Sequence, residues 1–275
     1  MTAPIRIGAV SYLNAKPLYH RLCEFAPYVR LSMDVPSLLA EQLAEGELDV
    51  ALIPSVEYLR GAGRGYEIIP GIGIAACGAV RSVKLFSRVP YDRIGRLALD
   101  AGSRTSQVLA QIWLDAAHGV RPDQIEELPL GVSALESTAD AVLVIGDRAM
   151  RVPSDSFHDV IDLGEAWHAL TGLPFVFAFW VARQGVELGD LPLALEKSRT
   201  AGLAAAASLA RMHGPRLGLD FATCYDYLTR ILSYNLGEPE IAGLTRFATM
   251  AAALGLAPAG VPFEFHRRHD LAPRR

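Results

Sequence analysis

The sequence has few of the residues that anchor most specialised chemistries. Cysteine occurs three times in 275 residues, at Cys23, Cys77 and Cys224. The count is odd, the spacings are wide and no C-x-x-C occurs, so neither a disulfide framework nor a zinc pattern follows. Three buried, reduced thiols in a cytoplasmic protein is the expectation. Charge is sparse too: charged residues are 20% of the chain and the formal net charge is −4. That balance gives no basic excess for nucleic acid and none for a membrane surface. The longest apolar stretch, residues 68–80, is broken by Pro70, Gly71, Gly73 and Gly78. It falls short of the roughly 20 residues a membrane-spanning helix needs. Met1-Thr2-Ala3-Pro4-Ile5-Arg6 has no basic, apolar and small-residue order of a secretory signal, so a cytoplasmic location is expected.

Common catalytic motifs are missing as well. There is no G-x-S-x-G elbow, no G-x-x-x-x-G-K-[ST] loop and no H-E-x-x-H, and Gly71-Ile72-Gly73 lacks the third glycine and the helix of a dinucleotide site. Of the seven histidines, only His266 and His269 are spaced to share a helix face, and they fall in a basic C-terminal stretch read as a solvated tail. His168 is the one histidine considered for a cleft, with a helix-surface position as the plainer reading. Trp167 and Trp180 read as core or lobe-interface residues. No metal and no cofactor is expected.

What is present is a β-α-β rhythm in a chain that is 51% hydrophobic, enough for a substantial core. Residues 5–10, 29–33 and 50–53 read as strands, with helices over 15–22, from Ser37 to Gly46, and from Ser55 to Leu59. Residues 68–87 are apolar, β-rich and punctuated by glycine, as expected of strands crossing between two lobes. From Arg96 the rhythm restarts, with strands at 97–99, 125–128 and 141–145 and a helix over 107–116. Phe175 to Ala182 carries no charge and reads as a fully buried strand. Beyond Arg183 three helices are expected, over 191–212, 225–234 and 241–254, with 261–265 as a short last strand. The layout predicts an α/β protein with a two-lobed, type II periplasmic-binding-protein-like fold. Each lobe would be a mixed, mostly parallel sheet flanked by helices, with a helical C-terminal third. Residues 1–84 plus 184–275 would form the first lobe and 85–183 the second, with the ligand between them.

Polar turns follow several of the strands. They are Ser11-Tyr12-Leu13-Asn14, Pro54-Ser55, Ser103-Arg104-Thr105-Ser106 and Gly146-Asp147, with Arg81-Ser82 at the crossing. Hydroxyls and free backbone N–H groups at helix starts suit a carboxylate that must be held and then released. The set of candidate binding residues is therefore Ser11, Tyr12, Ser55, Arg81, Ser82, Thr105, Ser106, Gly146 and Asp147. Each hydroxyl also has the plainer role of capping its own helix. Arg81 is equally well an exposed hinge residue.

At this point the motifs match a family. Residues 11–18 (Ser-Tyr-Leu-Asn-Ala-Lys-Pro-Leu), 49–55 (Asp-Val-Ala-Leu-Ile-Pro-Ser), 80–87, 141–147, 162–167 and 170–178 resemble the signature of the chorismate dehydratases of the futalosine route to menaquinone. The likeness covers roughly residues 5–183. It implies a two-lobed enzyme without a cofactor that removes water from chorismate to give 3-[(1-carboxyvinyl)oxy]benzoate. The family's active-site asparagine falls on Asn14. A neutral amide is no ordinary general base. The substrate's own enolpyruvyl carboxylate is therefore expected to take the C3 proton, while Asn14 orients it or holds the leaving hydroxyl.

Two other readings stay open. One is a non-catalytic small-carboxylate-binding protein of the same fold, which would need export. The other is the sister enzyme that cleaves cyclic dehypoxanthine futalosine, whose first block has Cys-Pro-Asn-Asp-like residues where this chain has Tyr12-Leu13-Asn14-Ala15. The expected partner is chorismate alone, with no nucleic acid and no membrane. The oligomeric state is left open, a homodimer included.

Overall fold

A computed structural model describes residues 4–267. β1 (Ile5–Val10) runs into a 3-10 helix (Leu13–Tyr19), then α1 (Leu22–Phe25), β2 (Val29–Asp34), α2 (Pro36–Glu45), β3 (Val50–Pro54), α3 (Ser55–Arg60) and β4 (Glu67–Ala76). A second group follows: β5 (Val83–Ser87), β6 (Arg96–Asp100), α4 (Thr105–His118), β7 (Gln124–Leu128), β8 (Ala141–Ile145), β9 (Asp159–Asp162) and α5 (Leu163–Thr171). The chain returns through β10 (Phe175–Ala182) to α6 (Leu191–Ala204), α7 (Ala206–Leu217), α8 (Phe221–Asp226), a two-residue β11 (Leu232–Ser233) and α9 (Glu238–Ala253).

These strands make two sheets, ordered β11-β4-β10-β3-β1-β2 and β7-β6-β8-β5-β9. The two-sheet α/β layout expected from the sequence is found. Each sheet is less parallel than the β-α-β rhythm suggested. β2, β1 and β3 pair in parallel, as right-handed crossovers require. β10, however, lies antiparallel between β3 and β4, and β5 antiparallel between β8 and β9. A strand that arrives from the other sheet enters without a crossover helix, so it has no reason to run parallel.

The sheets also divide the chain differently from the expected boundaries. β10 belongs to the six-stranded sheet, not to the second lobe, because β3 and β4 satisfy both of its edges. β5 begins at Val83, so a boundary after residue 84 would cut it. Phe175, Val176, Phe179, Trp180 and Val181 are fully buried along β10. Trp167 from α5 packs edge-on against Phe175 at 5.2 Å and Phe247 at 6.4 Å, which makes it a core residue.

Smaller expectations are corrected too. Ser37 is not an N-cap: α2 starts at Pro36 after extended Val35. The helix expected over 191–212 is two, broken at Ala205, and the one over 225–234 is a short α-helix that widens into a π-helical turn. Instead of a last strand, Phe265 makes a single bridge to Ile68. His266 is tied down by its N–H to Ile68 and by its ring Nδ1 at 2.6 Å from Glu67, so it belongs to no solvated tail. His269 and the rest of that basic stretch lie outside the described residues. Of the cysteines only Cys224 is buried; Cys23 and Cys77 are exposed. Among the described residues no helix is long and apolar enough to cross a membrane.

One packing contact bears directly on the first turn. α6 lies against the 3-10 helix, where Ser198 Oγ donates to the His20 carbonyl at 3.1 Å. Gly202 sits in the buried face of α6, and a Cβ there would run into the backbone of Pro17. Gly202→Ala is therefore expected to destabilise the fold by about 1–3 kcal/mol through overpacking. Urea unfolding measures it, and an unchanged midpoint would show that the two helices part freely.

Candidate active site

β1 ends in the core, and its last residues fix the turn that follows. Ser11 donates its backbone N–H to Asp34 at 3.0 Å and leaves its side chain exposed. Leu13, Ala15, Pro17 and Leu18 are buried, which anchors one side of the 3-10 helix. Tyr12 and Asn14, alternating with them, turn the other way, toward the gap between the sheets. The tight 3-10 winding brings Asn14 to the gap directly after the strand.

Three further segments close the gap. At the start of α4, Ser103 Oγ accepts the Ser106 N–H at 3.1 Å. Thr105 Oγ1 accepts the Val56 N–H at 3.2 Å and stands 3.3 Å from Ser55 Oγ. After β8, Gly146 has φ +72° and ψ −162°, a conformation essentially confined to glycine. Its Cα faces the Tyr12 ring, whose atoms would be 3.4 Å from a Cβ. Before β5, Arg81 takes a left-handed φ of +64°. The Asp162 carboxylate holds that turn, accepting the N–H groups of Val80 at 2.9 Å and Arg81 at 2.5 Å while also capping α5 at Gly164. The turn leaves Ser82 facing the gap.

The result is a cavity between the two sheets, lined by residues from both. Tyr12, Asn14, Ser82, Ser103, Thr105, Ser106 and Gly146 supply its polar lining. Val10, Pro36, Pro54, Ile74, Val80, Val83, Ile145, Phe177, Ala178 and Leu232 complete it. None of these residues carries a formal charge. A ligand anion would be held by hydroxyls, the Asn14 amide and the N-terminal end of the fourteen-residue α4.

The structure separates the candidates. Tyr12, Asn14, Ser82, Thr105, Ser106 and Gly146 line the cavity; Ser11, Ser55, Arg81 and Asp147 do not. Ser11 lies outside because the turn needs its N–H for β2. Ser55 is fully buried and donates to the Val176 carbonyl at 2.8 Å, so its hydroxyl ties α3 to β10 and caps nothing. The Arg81 guanidinium reaches away to Asp226 at 2.9 Å. Asp147 sits behind the wall, and its carboxylate accepts the Leu13 N–H at 3.3 and 3.2 Å from its two oxygens. His168 meets Cys77 and the Leu173 carbonyl and does not line the cavity. Ser103, from the same turn as Thr105 and Ser106, is a lining residue outside the candidate set. The apolar lining residues gave no signal, because they look like any core position.

Burial dominates the electrostatics. It pushes the Asp147 carboxyl up to about 6, against the Leu13 N–H and the charges of Lys16 and Arg151, which pull it down. The Tyr12 phenol is driven well above its ordinary range for the same reason, so it is a neutral donor. Asn14 Oδ1 is buried and has no hydrogen-bond partner among the described residues. A buried acceptor without a partner carries a desolvation cost of about 1–3 kcal/mol, which a bound donor would relieve. No group of three or more His, Cys, Asp or Glu is placed to hold a metal ion among the described residues.

Comparison with known proteins places this geometry. A chorismate dehydratase of Thermus thermophilus is 33% identical over 279 aligned residues, covering 94% of this chain and 99% of that protein. One from Campylobacter jejuni is 25% identical, covering 91% and 99%. Among solved structures, the alkanesulfonate-binding protein of Xanthomonas axonopodis, bound to MOPS, aligns with a TM-score of 0.69 at 17% identity, over 95% of this chain and 96% of that one. A Candida albicans protein described as having the generic periplasmic binding protein fold aligns with a TM-score of 0.65 at 10% identity, over 98% and 100%. These structures share the fold. The family model for menaquinone biosynthesis matches residues 5–253, and the chain belongs to that family.

Proposed function

We propose that this protein is a chorismate dehydratase, a carbon–oxygen lyase that converts chorismate to 3-[(1-carboxyvinyl)oxy]benzoate and water in the cytoplasm. The observation that carries the reading is the cavity itself. Residues of the blocks that resemble the chorismate dehydratases, Asn14, Ser82 and Gly146 among them, line it together with the start of α4.

The chemistry asks for what such a cavity offers. Chorismate is a dianion. The C3–H bond breaks and its electrons form the C3–C4 double bond as the C4 hydroxyl leaves; proton and hydroxide combine as water. The ring becomes aromatic, so the thermodynamic drive is large and the barrier lies in proton removal. Charge that builds at C3 is conjugated through the ring into the ring carboxylate. The hydroxyls of Ser103, Thr105 and Ser106, with the α4 N-terminus, would stabilise it there. The enolpyruvyl carboxylate is the base, held near C3 by binding alone. Asn14 offers its unpartnered Oδ1 to the C4 hydroxyl. Asp147 positions the Leu13 N–H and with it the Asn14 turn. Exposed, unpaired Cys23 and Cys77 suit a reducing compartment.

Purified protein incubated with chorismate is expected to give an aromatic product, seen by absorbance, with a mass lower by one water. Tight binding of chorismate without product would overturn the reading in favour of a binding protein. Asn14→Ala is expected to lower kcat by about 10²-fold or more while the protein stays folded, on the scale of a lost transition-state contact. Full turnover by that variant would remove Asn14 from the mechanism.

Asp147 makes a pH prediction with a definite sign. Its carboxyl titrates near 6 in the folded protein, above an unfolded aspartate at about 3.9. Between those values the folded state binds more protons than the unfolded one, so stability falls as pH rises through about 4 to 6. At 1.36 kcal/mol per unit the loss is about 2–3 kcal/mol. Asp147→Asn keeps an acceptor for Leu13 and is expected to abolish that slope. Urea midpoints at the two ends of the window decide, and an equal slope in both proteins counts against it.

A further inference from the structure

Tyr227 stands beside the cavity, and the mechanism leaves it unused. It is fully buried, and its hydroxyl donates to Ser82 Oγ at 2.7 Å. The Asn14 amide acts on the same hydroxyl, pulling its acidity back against the effect of burial. The segment that carries it is unusual. α8 widens at Tyr227 into a π-helical turn, Tyr227–Ile231, and the next residue, Leu232, lines the cavity. π-turns are rare and are frequently found at functional sites. The preceding residue, Asp226, receives the Arg81 guanidinium at 2.9 Å. So Arg81 and Ser82 meet Asp226 and Tyr227 as two successive pairs, which fixes the register of the crossing turn against the π-turn.

We propose that Tyr227 is a positioning residue that sets the direction of the hydrogen bond Ser82 presents to the ligand. A hydroxyl has one hydrogen. Because Tyr227 gives its hydrogen to Ser82 Oγ, the Ser82 hydrogen is left to donate into the cavity, toward an anion. Burial drives the phenol far above its ordinary range, so it keeps its hydrogen at any working pH. A phenylalanine would fill the same space. What the tyrosine adds is the hydroxyl.

The role in turnover rests on the chorismate reading, and the test separates the two. Tyr227→Phe is expected to lower kcat about tenfold or more, with KM changed less than about threefold, in a protein that still folds cooperatively. In a Ser82→Ala background the same change is expected to have no further effect, because Tyr227 acts through Ser82. Full activity of Tyr227→Phe, or losses that multiply in the double variant, overturns the proposal. If Tyr227→Phe does not fold, 3-fluorotyrosine introduced at position 227 keeps the packing and strengthens the donor; an unchanged kcat then overturns it. If the wild type produces nothing from chorismate, the functional reading fails by itself. The Tyr227–Ser82 coupling is still read without substrate, from the denaturation midpoints of the two single variants and the double. Additive midpoint shifts overturn the proposal, and non-additive shifts support it.

Discussion

Asp147 stands just beyond β8 of one sheet and accepts the N–H of Leu13 from just beyond β1 in the other. A buried carboxylate is expensive unless it is hydrogen-bonded, and a buried N–H without a partner is expensive too. Each group therefore needs the other, and together they hold the two sheets in register. Thr105 does the same, accepting the Val56 N–H across the gap, and Tyr227 reaches Ser82 from the C-terminal helices. The cleft is what remains between these crossings. Its walls are set by polar groups that already have partners, and the few that lack one face inward.

This explains why the residues that look most like ligands in the sequence are not all in the cavity. Arg81 and Asp147 are the two charged candidates, and both are consumed by structure, one on Asp226 and one on Leu13. What is left to meet a ligand is neutral. An anion bound only by hydroxyls and N–H groups is held less tightly than one clamped by a bidentate guanidinium. That is an advantage where the product, like the substrate, is a dianion and must leave.

Much of the fold was legible in the sequence because it rests on local signals. Charge-free 175–182 could only be a buried strand, and the apolar runs ending at Val10, Pro54 and Ile145 marked three strand ends at the cavity. Strand direction was not legible. Nothing in the composition of β10 says that it enters the six-stranded sheet antiparallel, since partners far along the chain decide that. The site was half legible for the same reason. A hydroxyl after a strand shows that a polar group is near the cleft, but not whether it bonds ligand or backbone. Ser55 went to the Val176 carbonyl and Ser82 to the cavity, and the difference is the left-handed turn at Arg81, held by Asp162 from a strand that gave no periodic signal. Tyr227 could not be found at all, because an apolar-looking helix conceals a π-turn.

An alkanesulfonate-binding protein, bound to MOPS, has the same fold, so the fold alone does not decide between binding and reaction. The decision lies in how the site treats charge that moves. A binding protein gains by making every contact to the ground state. An elimination gains only from contacts that strengthen as charge shifts toward the ring carboxylate and the leaving hydroxyl. Here hydroxyls stand at the start of α4 and at Ser82, and the same cavity holds one buried acceptor without a partner, Asn14 Oδ1. An acceptor among donors favours a ligand that brings a hydroxyl as well as carboxylates. A site built only to hold a carboxylate has no use for that acceptor.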